Sequence, residues 1–404
     1  MFKLRFNFMD VFSAARLGFN GKKIQIGTIG VFVSFVFYSI ISYLAFWASQ
    51  YSWLEIWREY KYCPIPYPFH IVHFNVWGWI IWAVGILAAF FILMVTITAI
   101  SKTTYEQLKG DEFYEVKEAF KFGFKYWKGS FLAPITLIIF IAIIVIMGIL
   151  WGLLIGRIPY AGQLLTGVFS IFLFAAALFV IYLIIIFFVS LIISPAVVAT
   201  TKSDTFDTLF ENFSVINSQT WRFVLWEWML KITTCIGTLI FGFFLKKSLT
   251  VMHIAIATIQ GPRQWLEVMW NNARWYLPPL PALPIEQIED FFASFLPVML
   301  QPHNFTPGNW ANSWGGFFLG IFFYVLAFIV IGFSLSMWAA GQTVIYTVLV
   351  KMKDEKNLLE QKEELFEEEE LEKPEVKVEK PLEETEEKPT KKKQDKEKGK
   401  KENK

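Results

Sequence analysis

Between Phe131 and Ile155 the chain places 25 residues in succession without a charged side chain, most of them Ile, Leu, Val or Phe. A strand of a membrane barrel would alternate apolar and polar positions. A helix in a soluble core has no need of so long a run, whereas about 20 helical residues cross hydrocarbon about 30 Å thick. Five further runs of that length, near 26–48, 76–100, 167–194, 221–245 and 315–340, carry no central cluster of charge. Backbone groups in lipid need partners within their own segment, so the sequence predicts six transmembrane helices.

Composition matters mainly because it divides the chain. Residues 351–404 hold 16 Lys and 19 acids, leaving 21 Lys or Arg and 16 acids for the first 350 residues. The body, 1–350, is a membrane domain. The tail, 351–404, is expected to prolong the last helix briefly through Leu358, Leu359, Leu365 and Phe366. It should become disordered beyond about 373, where it has too little apolar content to bury a core. Its Lys-rich end suits anionic lipid or RNA as a target, but solubilising filler outranks both and no nucleic acid is expected as a partner.

Orientation follows from Lys and Arg in the loops. Five (Lys3, Arg5, Arg16, Lys22, Lys23) precede the first span and six (Lys102, Lys109, Lys117, Lys121, Lys125, Lys128) separate the second from the third. The opposite side shows Arg58 and Lys61 in one loop and Arg157 in another. The long outer loop, 246–314, carries four more, but long loops translocate largely regardless of charge. Both termini are therefore expected in the cytoplasm. Trp47, Trp77, Trp127, Trp151, Trp221 and Trp314 at span ends fit headgroup-level anchoring.

Each odd-numbered span is preceded by a short amphipathic stretch with a recurring order: an acid (Asp10, Glu115, Asp204), a small residue four later (Ala14, Ala119, Thr208) and a Phe five beyond that (Phe19, Phe124, Phe213). An acid at a helix start complements the macrodipole, and the apolar spacing suits a helix lying in the interface plane. The expected fold is an all-α membrane protein with six transmembrane helices as three hairpins, each preceded by a cytoplasmic interfacial helix. Parallel repeats of this kind imply a pseudo-axis along the membrane normal.

Ser194-Pro-Ala-Val-Val-Ala-Thr-Thr-Lys-Ser-Asp-Thr-Phe-Asp-Thr208, continuing to Gln219-Thr-Trp-Arg-Phe223, resembles a segment of uncharacterised polytopic bacterial membrane proteins. These are distantly similar to the membrane domain of some glycerophosphodiester phosphodiesterases. Thr208 stands where that pattern has Ala. Glu118 to Pro134 and Gly341-Gln-Thr-Val-Ile-Tyr-Thr347 look like further pieces of it. The resemblance covers about 1–355 and implies six spans in a bacterial inner membrane with no assigned activity; the phosphodiesterase catalytic domain of some relatives is absent from it.

Candidate chemistry is sparse. Glu227 and Lys231 lie four apart in the fifth span, in the order that favours an ion pair, and ionisable groups at that depth are functional candidates. A neutralised pair with Lys231 snorkelling to the interface outranks an ion or proton relay, because no second buried acid continues a path. Cys63, His70 and His73 are ligand types for zinc or copper, but their proline-rich loop specifies no geometry, so the sequence calls for no metal and no cofactor. Neither a nucleophile elbow nor a phosphate-cradling loop nor a zinc-protease motif is present, which leaves an enzyme without positive support. Cys63 and Cys235 are expected reduced.

In the outer loop, Pro278–Pro284 joins two amphipathic stretches, Leu266 to Leu277 and Ile285 to Met299. Either can cap the bundle or dock a partner. The composite expectation is a non-enzymatic membrane scaffold or accessory subunit that meets lipid and a protein partner through the outer loop or tail. The alternative is a small transporter or lipid-handling protein with a cavity between the hairpins.

Overall fold

The computed structural model describes residues 4–62, 74–260, 265–276 and 305–360. Regular structure among them is helical throughout. A 3-10 turn, Phe8–Phe12, leads into α1 (Ser13–Gly18), α2 (Gly21–Ala48), α3 (Trp53–Tyr60), α4 (Val76–Lys109) and α5 (Val116–Lys125). A π-helical turn at Lys128–Leu132 opens α6 (Ala133–Leu154). There follow α7 (Ala161–Val168), α8 (Ser170–Thr201), α9 (Thr205–Gln260), α10 (Trp265–Trp275) and α11 (Trp310–Asp354). Six of these (α2, α4, α6 with its π turn, α8, α9 and α11) are long and apolar enough to cross a membrane, as the sequence predicts.

Asparagine sets three of the starts. Asn20, Asn75 and Asn309 each accept a hydrogen bond from a backbone N–H of the first turn of α2, α4 and α11, satisfying donors that a helix end leaves orphaned. The end of α4 is set by Gly110, whose φ of 108° is the left-handed conformation that terminates helices.

One boundary differs from that read in the sequence. The expected outer loop begins at 246, yet α9 stays helical to Gln260, because the helix period outlasts the charge-free run and Lys246 and Lys247 extend from a helix surface. The last helix continues past 351: α11 runs to Asp354, and Leu358 is buried and held by the Tyr105 hydroxyl, which donates to its carbonyl at 2.7 Å. The third amphipathic stretch and the fifth span form one helix with a kink at Gln219, where φ is −142°.

The long helices pack unequally. Helix α2 lies against α4 and α11, α10 against α11, and α4, α8 and α11 touch one another. Their contact zone is built from Met94–Tyr105, Ile193–Thr200 and Ala339–Val350, buried at every position. Small and hydroxyl-bearing residues dominate it, and Thr98, Thr103, Thr104, Thr200, Thr343 and Thr347 return their hydroxyl protons to carbonyls one turn back. Backbones approach closely at α2 and α11: a Cβ on Gly27 would lie 2.5 Å from the Gly332 carbonyl oxygen. Such close approach is how helices associate where solvent provides no hydrophobic drive.

Candidate functional site

Helix α9 meets α11 through a pair of glycines. A Cβ at Gly341 would fall 2.1 Å from Leu230 Cδ1, and one at Gly237 would fall 2.7 Å from Met337 Sδ. The missing side chains let α9 settle against α11, and one turn before Leu230 this brings Glu227 onto Gln342. The Gln342 amide donates to Glu227 Oε2 at 2.9 Å; both residues are buried.

This seam is under-satisfied. Glu227 Oε1 and Gln342 Oε1 are buried without a hydrogen-bond partner, as are the hydroxyls of Thr234 and Thr238 farther along α9. Buried polar atoms in this state are uncommon and call for a proton, an ion or a water. A protonated carboxyl would convert one acceptor into a donor, whereas an ionised one leaves two acceptors side by side.

The expected ion pair is replaced. Lys231 is exposed, with its ammonium 6.0 Å from the Trp228 ring centroid, and makes no ion pair with Glu227 within contact range. One helical turn separates them, but Glu227 turns toward α11 while the longer Lys231 follows the outer surface of α9.

At the three repeat positions the small residue is fully buried each time: Ala14, Ala119 and Thr208. Thr208 fits the alanine place because its hydroxyl donates to the Asp204 carbonyl at 2.6 Å. The acids work at helix starts. Asp10 accepts from the backbone of Arg5 and Asn7, Glu115 caps α5 in a box with Glu118, and Asp204 accepts from Asp207 N–H. Phe19 and Phe124 are exposed and Phe213 half-buried.

Four residues after each small position comes a docking contact that the sequence pattern did not announce: Gly18, Gly123 and Asn212. Gly18 abuts Met337 of α11, its carbonyl accepting from the Ser336 hydroxyl at 2.8 Å. Gly123 abuts the Val95 carbonyl of α4. Asn212 donates to the hydroxyls of Ser190 and Ser194 on α8 at 3.0 and 2.9 Å. Each short segment therefore rests on the long helix that precedes it, taking α11 as the predecessor of α1.

Two further polar contacts involve α4. Lys23 is fully buried and donates to the Leu17 carbonyl at 2.9 Å and to Gln107 Oε1 at 2.7 Å, placing its charge at the C-terminal end of α1, where a cation is favoured. Lys102 pairs with Glu106 one turn on. A lysine read only as topogenic charge gave no sign of such burial. A lone amide inside an apolar run, as at Gln342, was the available signal for the seam.

The weak metal candidates Cys63, His70 and His73 lie outside the described residues, as do the second outer amphipathic stretch and the tail from 361. Among the described residues no three metal-ligating side chains gather. Cys235 is a free, exposed thiol. The first outer stretch is α10, which buries Leu266, Asn272 and Ala273 against α11.

No protein-family model, curated protein or solved structure matches the chain.

Proposed function

We propose that this chain is a non-enzymatic scaffold or accessory subunit of a complex in a bacterial inner membrane, with both termini cytoplasmic. Its six spans form three hairpins, each entered through an interfacial helix. The observation that carries this reading is the closed contact zone of α4, α8 and α11, buried residue by residue at the end where the short helices dock. A scaffold uses such a rigid centre to hold its periphery in place. The docking of α1 on α11, α5 on α4 and the start of α9 on α8 supports a threefold arrangement, because one relation recurs three times around the bundle. The outer loop and tail are the surfaces left for a protein partner.

The test is purification of the tagged full chain from its native membranes in mild detergent. A partner protein at fixed stoichiometry in repeated preparations supports the reading; the chain migrating without any protein partner refutes it.

One observation favours a second reading, a small transporter with Glu227 at its centre: the orphaned acceptors at Glu227 and Gln342. Against it, neither the groove between α2 and α11 nor the cleft between α6 and α8 reaches them. Solute uptake by proteoliposomes that is lost in Glu227→Gln would favour transport over scaffolding.

A further inference from the structure

Glu227 of α9 is 5% exposed, and Gln342 of α11 is fully buried. One hydrogen bond joins them, from the Gln342 amide to Glu227 Oε2 at 2.9 Å. The other oxygen of each side chain, Glu227 Oε1 and Gln342 Oε1, is buried without a partner. Two orphaned acceptors therefore sit on two side chains that already touch.

A buried carboxylate is costly unless a cation pairs with it. Lys231, one turn on, is the charged group that acts on Glu227, but it is exposed, with its ammonium by the Trp228 ring. The other charged or titratable groups on the elements packed here are engaged elsewhere or do not act on the carboxyl. Arg222 of α9 donates to Gln219, Asp10 accepts from the backbone of Arg5 and Asn7, Tyr346 of α11 faces Glu211, and Arg16 lies on α1. A metal ion fits no better: two oxygens, with no cluster of three ligating side chains among the described residues, fall far short of the roughly six oxygens a hard cation takes. A water between the two acceptors would serve both and still leave the negative charge buried. A proton removes the charge and both orphans at once. A protonated carboxyl and a primary amide each present a donor beside an acceptor, so Glu227 Oε1–H can donate to Gln342 Oε1 and close a second hydrogen bond beside the first.

We infer that Glu227 is a proton-binding site that locks α9 onto α11: the folded chain holds the carboxyl protonated, clipped to Gln342 by two hydrogen bonds, and loss of that proton to water parts the seam. The inference is independent of both readings given above for function. Ser336, whose hydroxyl holds α1, precedes Gln342 by about 9 Å at the helical rise. The clip therefore lies at the end of the bundle where the short helices dock, and the pH on that side governs it. Gln219, with φ −142°, interrupts α9 about two turns before Glu227 and gives that helix a joint. Farther along α9 the orphaned hydroxyls of Thr234 and Thr238 are partners for the water that enters a parted seam. A proton held by the folded chain and not by the unfolded one makes stability fall as pH rises.

Infrared spectra of the full chain in nanodiscs at neutral pH, wild type against Glu227→Gln, test for the proton. Wild type should show the C=O stretch of a hydrogen-bonded carboxylic acid, shifted in heavy water and missing from the variant; isotope-labelled glutamate in wild type should move the same band, an arm that needs no variant to fold. Amide exchange over 221–240, corrected for the intrinsic rate, tests the lock. It should quicken in wild type above neutral pH by up to about ten-fold per pH unit, the limit for one linked proton, and stay slow in Glu227→Gln, which cannot ionise. Loss of a carboxylate band in Glu227→Gln, with no acid band in wild type, would mean an ionised Glu227 with water between the oxygens. Exchange that follows sodium or potassium at fixed pH would mean a cation, and the same pH dependence in both proteins would mean no lock. Each of these results overturns the inference.

Discussion

The stretches Ala339–Val350 of α11 and Ile138–Leu154 of α6 both belong to helices long and apolar enough to cross a membrane, yet one is buried at every position and the other contributes no buried residue. The difference lies in side-chain size and polarity. The α11 stretch offers Ala339, Ala340, Gly341, Thr343 and Thr347, over which neighbouring backbones can close. The α6 stretch opens with Ile138, Ile139, Phe140, Ile143 and Ile144, which keep a neighbour at a distance and suit lipid as solvent. Hydropathy identifies what can cross a membrane; small and hydroxyl-bearing residues identify what packs once there.

Substitutions at glycine put that contrast under the greatest load. A Cβ on Gly332 would lie 2.5 Å from the backbone nitrogen of Thr28, whereas one on Gly148 of α6 meets nothing within 4 Å. Gly332→Val should destabilise the chain by about 3 kcal/mol, the upper end of overpacking costs. Gly148→Val should stay within about 0.5 kcal/mol. Denaturant titration of both variants in one detergent, followed by Trp fluorescence, measures the difference. Equal effects would erase the distinction between the two regions.

The seam between α9 and α11 sharpens the same point with polarity instead of size. Glu227→Leu removes the acceptor of the Gln342 amide and should cost about 2 kcal/mol, the penalty of an unsatisfied buried donor. Glu227→Gln keeps an acceptor, adds a donor for the orphaned Gln342 Oε1, and should be as stable as wild type or more so. Thermal unfolding monitored by circular dichroism distinguishes them. A leucine variant as stable as the glutamine variant would mean that this hydrogen bond contributes nothing to packing.

These two regions also mark how far the sequence could be read. The six spans were legible because length and lack of charge are local properties. A recurring spacing picked out Ala14, Ala119 and Thr208, and the structure adds that all three are buried. The rest depended on distant partners. Nothing local shows that Gln342, far along the chain, will take Glu227 from Lys231, or that Lys23 will be enclosed between Leu17 and Gln107 instead of facing headgroups. The end of α9 was misjudged over 246–260 for a related reason: charged residues end a hydrophobic run but not a helix, for which lysine has good propensity.

Asn212 tests the docking of the short segments at smaller magnitude. Its amide spans Ser190 and Ser194 where α1 and α5 rely on glycine contacts, so Asn212→Ala should cost about 1 kcal/mol, in the range of polar contacts between membrane helices. Asn212→Gly, which imitates the other two sites, should not recover it, because α8 presents hydroxyls where α4 presents a carbonyl. Denaturation midpoints of the two variants give the comparison, and a silent Asn212→Ala would show that the third segment docks through apolar contacts alone.

The smallest effect belongs to α3, a mostly exposed helix that buries Ile56 and opens in a capping box. Ser52 N–H donates to Glu55 Oε2 at 3.0 Å, and Glu55 N–H donates to Ser52 Oγ at 3.3 Å. The Ser52 backbone hydrogen bond, then its side chain, hold the Glu55 carboxyl below its ordinary 4.5. A carboxylate depressed in the folded state adds stability that is complete above the unfolded value and is lost as pH falls through the folded one. Amide exchange over 53–60 should therefore accelerate as pH drops below about 4.5, once corrected for the intrinsic rate, and approach that of Glu55→Gln, while exchange in the α4–α8–α11 zone, which lacks such a cap at its centre, holds steady.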